Sequence, residues 1–154
     1  REQARTLGIG EHITWMGARA QAEVFDAYRD ADLFVLPSKI AGDGDRDGLP
    51  NVLMEAASQG LCCLASDVAA VSELLTHGET GWLVPADDPH ALTAAIANLA
   101  ADPKQRLALG LAGLEQVTQS FNHESGISAI CHRLGLPANV PKDELGAAAM
   151  DAAQ

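Results

Sequence analysis

The chain has 154 residues, 47% of them apolar, and a formal net charge of −11. That length suits one domain with a sizeable core, no segment approaches the length of a transmembrane span, and so acidic a chain excludes a phosphate-tracking surface, so no nucleic-acid partner is expected. Cys62, Cys63 and Cys131 have neither the spacing of a disulfide framework nor that of a metal site, which points to a reducing, cytoplasmic compartment.

Arg1 is not a Met, which points to a fragment or a processed chain, and Arg1 to Gly10 contains no apolar run of the kind a signal peptide needs. Arg1 to Leu7 reads as the end of a helix stopped by Gly8 or Gly10. Ile13 to Met16 is a short β-type run closed by Gly17. Val24, Phe25 and Tyr28 give the segment from Gln21 to Arg29 a helical spacing. Leu33 to Leu36 is apolar without alternation, as in a strand covered on both faces. A helix follows from Asn51 to Ser58, with Gly60 at its stop position.

Leu61 to Ala65 is the next buried strand, Asp67 a cap for a helix over roughly Val71 to Leu75, and Trp82 to Val84 the last strand. Asp87 or Asp88 caps a helix with Pro89 in its first turn and a stripe of Leu92, Ile96 and Leu99. Asp102-Pro103 repeats that signal ahead of Leu107, Leu111, Leu114 and Val117. Phe121 to Leu134 forms a further helix, with Asn122 as its cap. Residues 136–154 hold two prolines and an alanine-rich end, and read as a flexible tail. Strands alternating with helices predict an α/β fold: a Rossmann-like, doubly wound parallel sheet of about four strands with a helical C-terminus.

The stretch from Ala41 to Gly60 is the most unusual, an acidic glycine-rich loop running directly into an apolar helix. Three readings compete. Asp43, Asp45, Asp47 and Gly48 match the opening of a calcium loop, but the twelfth position is Met54 and not the required glutamate. A solvated connection is the second reading. Against it, the loop is long for a strand-to-helix link, and Glu55 sits in a helix with almost no polar face, where a charge needs a partner. The third reading is a phosphate and sugar site. With Pro50 at the first helical position, the N–H groups of Asn51, Val52 and Leu53 are free to bind an anion. Asp47 and Glu55 then flank that helix end and accept hydrogen bonds from hydroxyls, as a nucleotide sugar would supply.

The segment from Asp47 to Gly60 (Asp-Gly-Leu-Pro-Asn-Val-Leu-Met-Glu-Ala-Ala-Ser-Gln-Gly) resembles the acidic-x7-Glu motif of family 4 glycosyltransferases, retaining enzymes of the GT-B fold. Other matching stretches stand in order: Ile13 to Gly17, Ala31 to Ser38, Leu64 to Asp67, Ser72 to Leu75, Gly78 to Pro85 and Asp88 to Leu92. The resemblance implies that Glu55 binds the ribose hydroxyls of the donor and that Asp47 contacts donor-sugar hydroxyls near the reacting centre. Gly48, Leu49, Pro50 and Asn51 would lie against the diphosphate and sugar. Gly17, Ala18 and Arg19 would lie near the base, and Ser38 beside the nucleotide. Asp47 is a methylene shorter than the usual Glu, and Pro50 stands where the family has a second glycine.

The resemblance runs from Leu7 to about Phe121 and covers only the later part of the GT-B donor domain, with residues 1–135 as that partial domain. It implies an acceptor domain elsewhere in the same protein, two further strands between Thr14-Trp15 and Leu33 to Leu36, and a basic pair for the diphosphate. Without those strands, the two segments either pair directly or leave edges exposed. The full enzyme is expected to transfer a sugar from a nucleoside diphosphate sugar to an acceptor hydroxyl, with no cofactor and no metal, from the cytoplasm or the inner membrane face as a peripheral protein. The chain alone is expected to be inactive. A non-catalytic nucleotide- or sugar-binding module and a small calcium-binding domain are the alternatives. His12, His77, His90, His123 and His132 share no ligand spacing, Trp15 and Trp82 are expected in the core, and Glu73 is either a helix-surface residue or part of the site.

Overall fold

The computed structural model describes residues 1–39, 48–121 and 123–135. Helices α1 (Glu2–Thr6) and α2 (Gln21–Asp30) precede strand β1 (Phe34–Leu36). Helix α3 (Asn51–Ser58), strand β2 (Cys63–Ser66), the short helix α4 (Val71–Leu74) and strand β3 (Trp82–Val84) follow, then helices α5 (Pro89–Ala101), α6 (Pro103–Ser120) and α7 (His123–Arg133). The strands form a parallel sheet in the order β1-β2-β3, with Val35 opposite Leu64 and Ala65 opposite Leu83.

Both faces of this sheet are apolar, and alternate residues feed separate clusters, as the two-residue side-chain period of a strand requires. Cys63 and Ala65 join Leu53, Ala56, Ala57, Val71 and Leu74 from α3 and α4. Cys62 and Leu64 turn the other way, onto Ala95 and Leu99 of α5 and Leu109 of α6. Every residue of β2 is buried. The expected doubly wound arrangement is present, with helices on both faces.

Only three strands form among the described residues, not four. Ile13 to Met16 belongs to no strand, and Trp15 and Met16 are 50% and 45% exposed. The physical reason is the lack of a ladder partner: β1 pairs with β2 alone, and its outer edge is unpaired among the described residues. Of the two expected outcomes, the exposed edge is the one observed. Trp15 accordingly lies outside the core, with the Arg1 guanidinium over its ring. Trp82 is half-buried against the second cluster.

The caps expected at Asp88 and Asp102 are in place. Asp88 accepts from the N–H groups of His90 and Ala91 at 3.0 and 2.9 Å, and Asp102 from that of Gln105 at 3.0 Å. Asp67 does not cap α4. Its own N–H is spent on the carbonyl of Val84, and Ala70 stands at the cap position. The helix stripes hold in part: Leu92, Leu99 and Val117 pack on the core, while Ile96, Leu107 and Leu111 do not. In α5 the buried positions are Ala95 and Leu99, with Ile96 exposed; in α6 they are Leu109, Gly110 and Gly113, with Leu107 and Leu111 outward. The small residues face inward because α6 lies directly against backbone. A Cβ on Gly110 would collide with the carbonyl oxygen of Gly60, and one on Gly113 would stand 2.9 Å from that of Thr80. Arg106 ties the end of α5 to this helix, donating to the carbonyls of Leu99 and Ala100 at 2.6 and 2.9 Å and to Asp32 at 3.1 Å. Asn122 and the tail of residues 136–154 lie outside the described residues.

Gly110→Ala is therefore expected to destabilise the chain by about 3 kcal/mol, since the clash is with backbone that cannot rotate away. Gly126→Ala, in α7 with open space around the new methyl, should stabilise it by about 0.5–1 kcal/mol through helix propensity. Urea unfolding of the two variants checks this; equal stabilities would contradict the packing of α6.

Candidate functional site

All three strands end on one side of the sheet, at Leu36, Ser66 and Val84. The segments just beyond them converge there, which is where ligands of open parallel sheets bind. A cleft of about 400 Å³ is lined by Ser38, Lys39, Ser66, Asp87, Asp88 and Leu92, among others. A crevice of about 30 Å³ joins Ser38 and Lys39 to Gly48, Pro50, Ala69 and Val71. A hollow of about 320 Å³ lies at the start of α3, lined by Gly48, Leu49, Pro50, Asn51 and Val52. The structure thus gathers Ser38, Gly48, Leu49, Pro50 and Asn51 into one neighbourhood. Gly17, Ala18 and Arg19 line none of these three hollows. The Arg19 guanidinium is held in its own segment, donating to the Met16 carbonyl at 2.9 Å and to Glu23 at 3.0 Å. Asp43, Asp45 and Asp47 lie outside the described residues.

Pro50 stands one place earlier than expected. With φ −65° and ψ 126° it is the N-cap of α3, and its carbonyl accepts from the N–H of Leu53 at 3.0 Å. The helix therefore begins at Asn51. Of the three N–H groups expected to be free, that of Leu53 is engaged, while those of Asn51 and Val52 have no partner among the described residues. Two free donors and the positive end of the helix dipole remain at the hollow.

Glu55 lies about one turn further along α3, half-buried, and near Tyr28 of α2, whose phenol its charge helps to raise, a neighbour that the sequence did not announce. Lys39, Ser66 and Asp87 were also missed, although each follows or ends a strand, the position where parallel sheets bring side chains to a site. Ala69 and Asp87 carry positive φ angles of 50° and 55°, the left-handed region that costs a side-chain-bearing residue energy. Glu73 is exposed on α4 and lines none of the three hollows. Among the described residues, no group of three or more His, Cys, Asp or Glu could hold a metal ion, and no helix is long and apolar enough to cross a membrane.

The family model for Glycosyl transferases group 1 matches residues 1–102. The amylovoran biosynthesis glycosyltransferase AmsK of Erwinia amylovora is 36% identical over 110 residues, which is 71% of this chain and 27% of AmsK. The GDP-mannose-dependent alpha-(1-6)-phosphatidylinositol monomannoside mannosyltransferase of Mycolicibacterium smegmatis is 33% identical over 111 residues, 71% of this chain and 29% of that enzyme. The chain spans 27% to 29% of the length of these and a further curated relative. Among solved structures, a sucrose-phosphate synthase from Thermosynechococcus elongatus matches with a TM-score of 0.73 and 31% identity, over 87% of this chain and 31% of the synthase. HepE of Anabaena, crystallised in complex with UDP and glucose, matches with a TM-score of 0.75 and 21% identity, over 87% of this chain and 35% of HepE. That second likeness is one of fold.

Burial first, then the charges of Glu55 and Cys63, raise the Tyr28 phenol. Burial pushes the Cys63 thiol up to about 12, helped by Cys62, and Cys62 itself up to about 11 against the lowering effect of Arg106. All three groups titrate higher when folded than when unfolded. Their contribution to stability is therefore complete below the unfolded pKa values and is lost as pH rises through the folded ones. The urea midpoint is expected to be level near neutrality and to fall above about pH 9, as unfolded thiols begin to ionise. Below that range a thiol reagent should modify Cys131 alone in the folded chain. Rapid modification of a Cys131→Ser variant would contradict the burial of Cys62 and Cys63.

Proposed function

The chain belongs to the group 1 glycosyl transferases, and from that membership we propose that it is the donor-binding part of a retaining enzyme. That enzyme moves a sugar from a nucleoside diphosphate sugar to an acceptor hydroxyl, in polysaccharide or glycolipid synthesis. The observation that carries the reading is the start of α3: free N–H groups of Asn51 and Val52 beside Gly48 and Pro50, at the carboxyl edge of the parallel sheet.

In this reading the two N–H groups and the helix dipole receive the diphosphate oxygens, whose negative charge grows as the sugar–phosphate bond breaks. Such donors are already oriented before reaction, so stabilising that charge requires no rearrangement. Glu55 accepts hydrogen bonds from the ribose hydroxyls. Tyr28 stands near that carboxylate as a positioning residue, its phenol raised in part by the Glu55 charge. Asp47 contacts the donor sugar near its anomeric carbon. The leaving phosphate takes the acceptor proton, so the protein supplies no nucleophile, and no metal is required. Gly17 to Arg19 serve the base.

Relatives several times longer than this chain support a division of labour in which an acceptor-binding domain and a basic diphosphate clamp come from the rest of the enzyme. The whole enzyme is placed in the cytoplasm, peripheral to the membrane when its acceptor is a lipid. The chain alone is expected to bind nucleotide but not to transfer sugar.

Calorimetric titration with UDP and GDP tests this. One of the two should bind, and Glu55→Gln should weaken it by about tenfold, the worth of a hydrogen bond to a charged group. Tyr28→Phe should weaken it less. Binding that is unchanged in Glu55→Gln, or sugar transfer by the chain alone, would overturn the assignment.

A further inference from the structure

A single cation stands within the site. Lys39 follows strand β1 and lines both the cleft of about 400 Å³ and the narrow crevice shared with Gly48 and Pro50. Gly48 and Pro50 also line the hollow at the start of α3, together with Asn51 and Val52. Among the described residues that line these three hollows, Lys39 is the one with a positive charge. It is exposed, and its ammonium makes no hydrogen bond or ion pair with any described residue. The chain as a whole is strongly acidic, with a net charge of −11. Yet among the described residues no carboxylate lines the crevice or the hollow at α3. Asp87 and Asp88 line the cleft and not the crevice, and Asp88 is occupied in capping α5.

We propose that Lys39 is a diphosphate-binding residue of the donor site, its ammonium set against the phosphate oxygens that the Asn51 and Val52 N–H groups receive. The assignment rests on the function proposed above and deepens it. Two N–H groups and a helix end supply only partial positive charge, whereas a nucleoside diphosphate brings several full negative charges. A full cation beside them offsets what the dipole leaves. Its effect grows as the sugar–phosphate bond breaks and negative charge builds on the leaving diphosphate. Lysine suits the position, since a compact ammonium on a flexible stem can turn any of its donors to an oxygen. With no carboxylate partner, its charge is not already spent on an internal ion pair. This cation belongs to the chain itself, in addition to the basic clamp placed in the rest of the enzyme.

The test is calorimetric titration of the full chain with inorganic pyrophosphate, UDP, GDP, uridine and guanosine, repeated on Lys39→Met, Lys39→Arg and Glu55→Gln. Lys39→Met should weaken pyrophosphate and the bound nucleoside diphosphate about tenfold and leave any affinity for the free nucleoside unchanged. Lys39→Arg keeps the charge and should retain most of the affinity. The gap between the parent chain and Lys39→Met should narrow as salt is raised, because an exposed charge is screened; a merely structural role would not depend on salt in this way. Both Lys39 variants should unfold in urea at the parent midpoint, since the ammonium has no partner in the fold to lose. Glu55→Gln should weaken the nucleotide and not pyrophosphate, because Glu55 serves the ribose. Unchanged binding in Lys39→Met, an equal loss for the uncharged nucleoside, or binding of neither pyrophosphate nor nucleotide by the parent chain overturns the assignment. If pyrophosphate binding depends on Lys39 but no nucleotide binds, the donor reading falls and the role of Lys39 as an anion-binding residue stands. If a nucleotide binds through Glu55 and ignores Lys39, the reverse holds.

Discussion

Strand β2 has neither an exposed residue nor a free edge, and the rest of the structure is arranged to keep it so. Its backbone is bonded to β1 on one side and β3 on the other. Its side chains alternate between two clusters that together use α3, α4, α5 and α6. Such a strand can carry only apolar or small residues, and Cys63-Leu-Ala-Ser66 obeys this until its last position. Ser66 is the exception because the strand ends there, at the edge where the clefts open. The same constraint explains α6. To cover β2 it must approach the Gly60 to Cys62 backbone directly, so Gly110 and Gly113 face inward beside Leu109, and Leu107 and Leu111 are left outside.

The site inherits its geometry from this arrangement. Because β1, β2 and β3 run parallel, their carboxyl ends lie together, and the connections after them bring Ser38, Gly48, Ser66 and Asp87 to one edge. Helix α3 is held by the buried Leu53, Ala56 and Ala57. That burial fixes the direction of its first turn and therefore of the Asn51 and Val52 N–H groups. Glu55 is on the same helix, half-buried, and near enough to Tyr28 of α2 for its charge to raise the phenol. A charge that looked out of place on an apolar helix is thereby held at the border between core and site.

Much of this was readable from the chain. The interruption of apolar runs by glycine and proline marked the helix from Asn51 to Ser58 and the strand from Trp82 to Val84, and placed strands at Leu33 to Leu36 and Leu61 to Ala65 within two residues of those observed, because such boundaries are set by local backbone preference. Caps at Asp88 and Asp102 were legible for the same reason. What depends on distant partners was not. Ile13 to Met16 has strand composition, yet a strand exists only where a neighbour completes its ladder. The stripe of α6 held at Leu114 and Val117 but failed at Leu107 and Leu111, because leucine spacing cannot reveal that the surface facing Gly110 and Gly113 is bare backbone. In the site, the loop from Gly48 to Asn51 stood out through its composition. Tyr28 did not, since its role arises from how α2 packs on α3, and Ser66 did not, since a lone serine at the end of a buried strand carries no pattern.

The central claim is that the first turn of α3 receives the diphosphate of a nucleotide sugar. A crystal structure of the chain with UDP-glucose or GDP-mannose tests it most directly. The account predicts diphosphate oxygens within hydrogen-bonding distance of the Asn51 and Val52 N–H groups, with the ribose hydroxyls on Glu55. A nucleotide bound elsewhere on the chain, with those N–H groups still free and Glu55 making no contact with it, would contradict it.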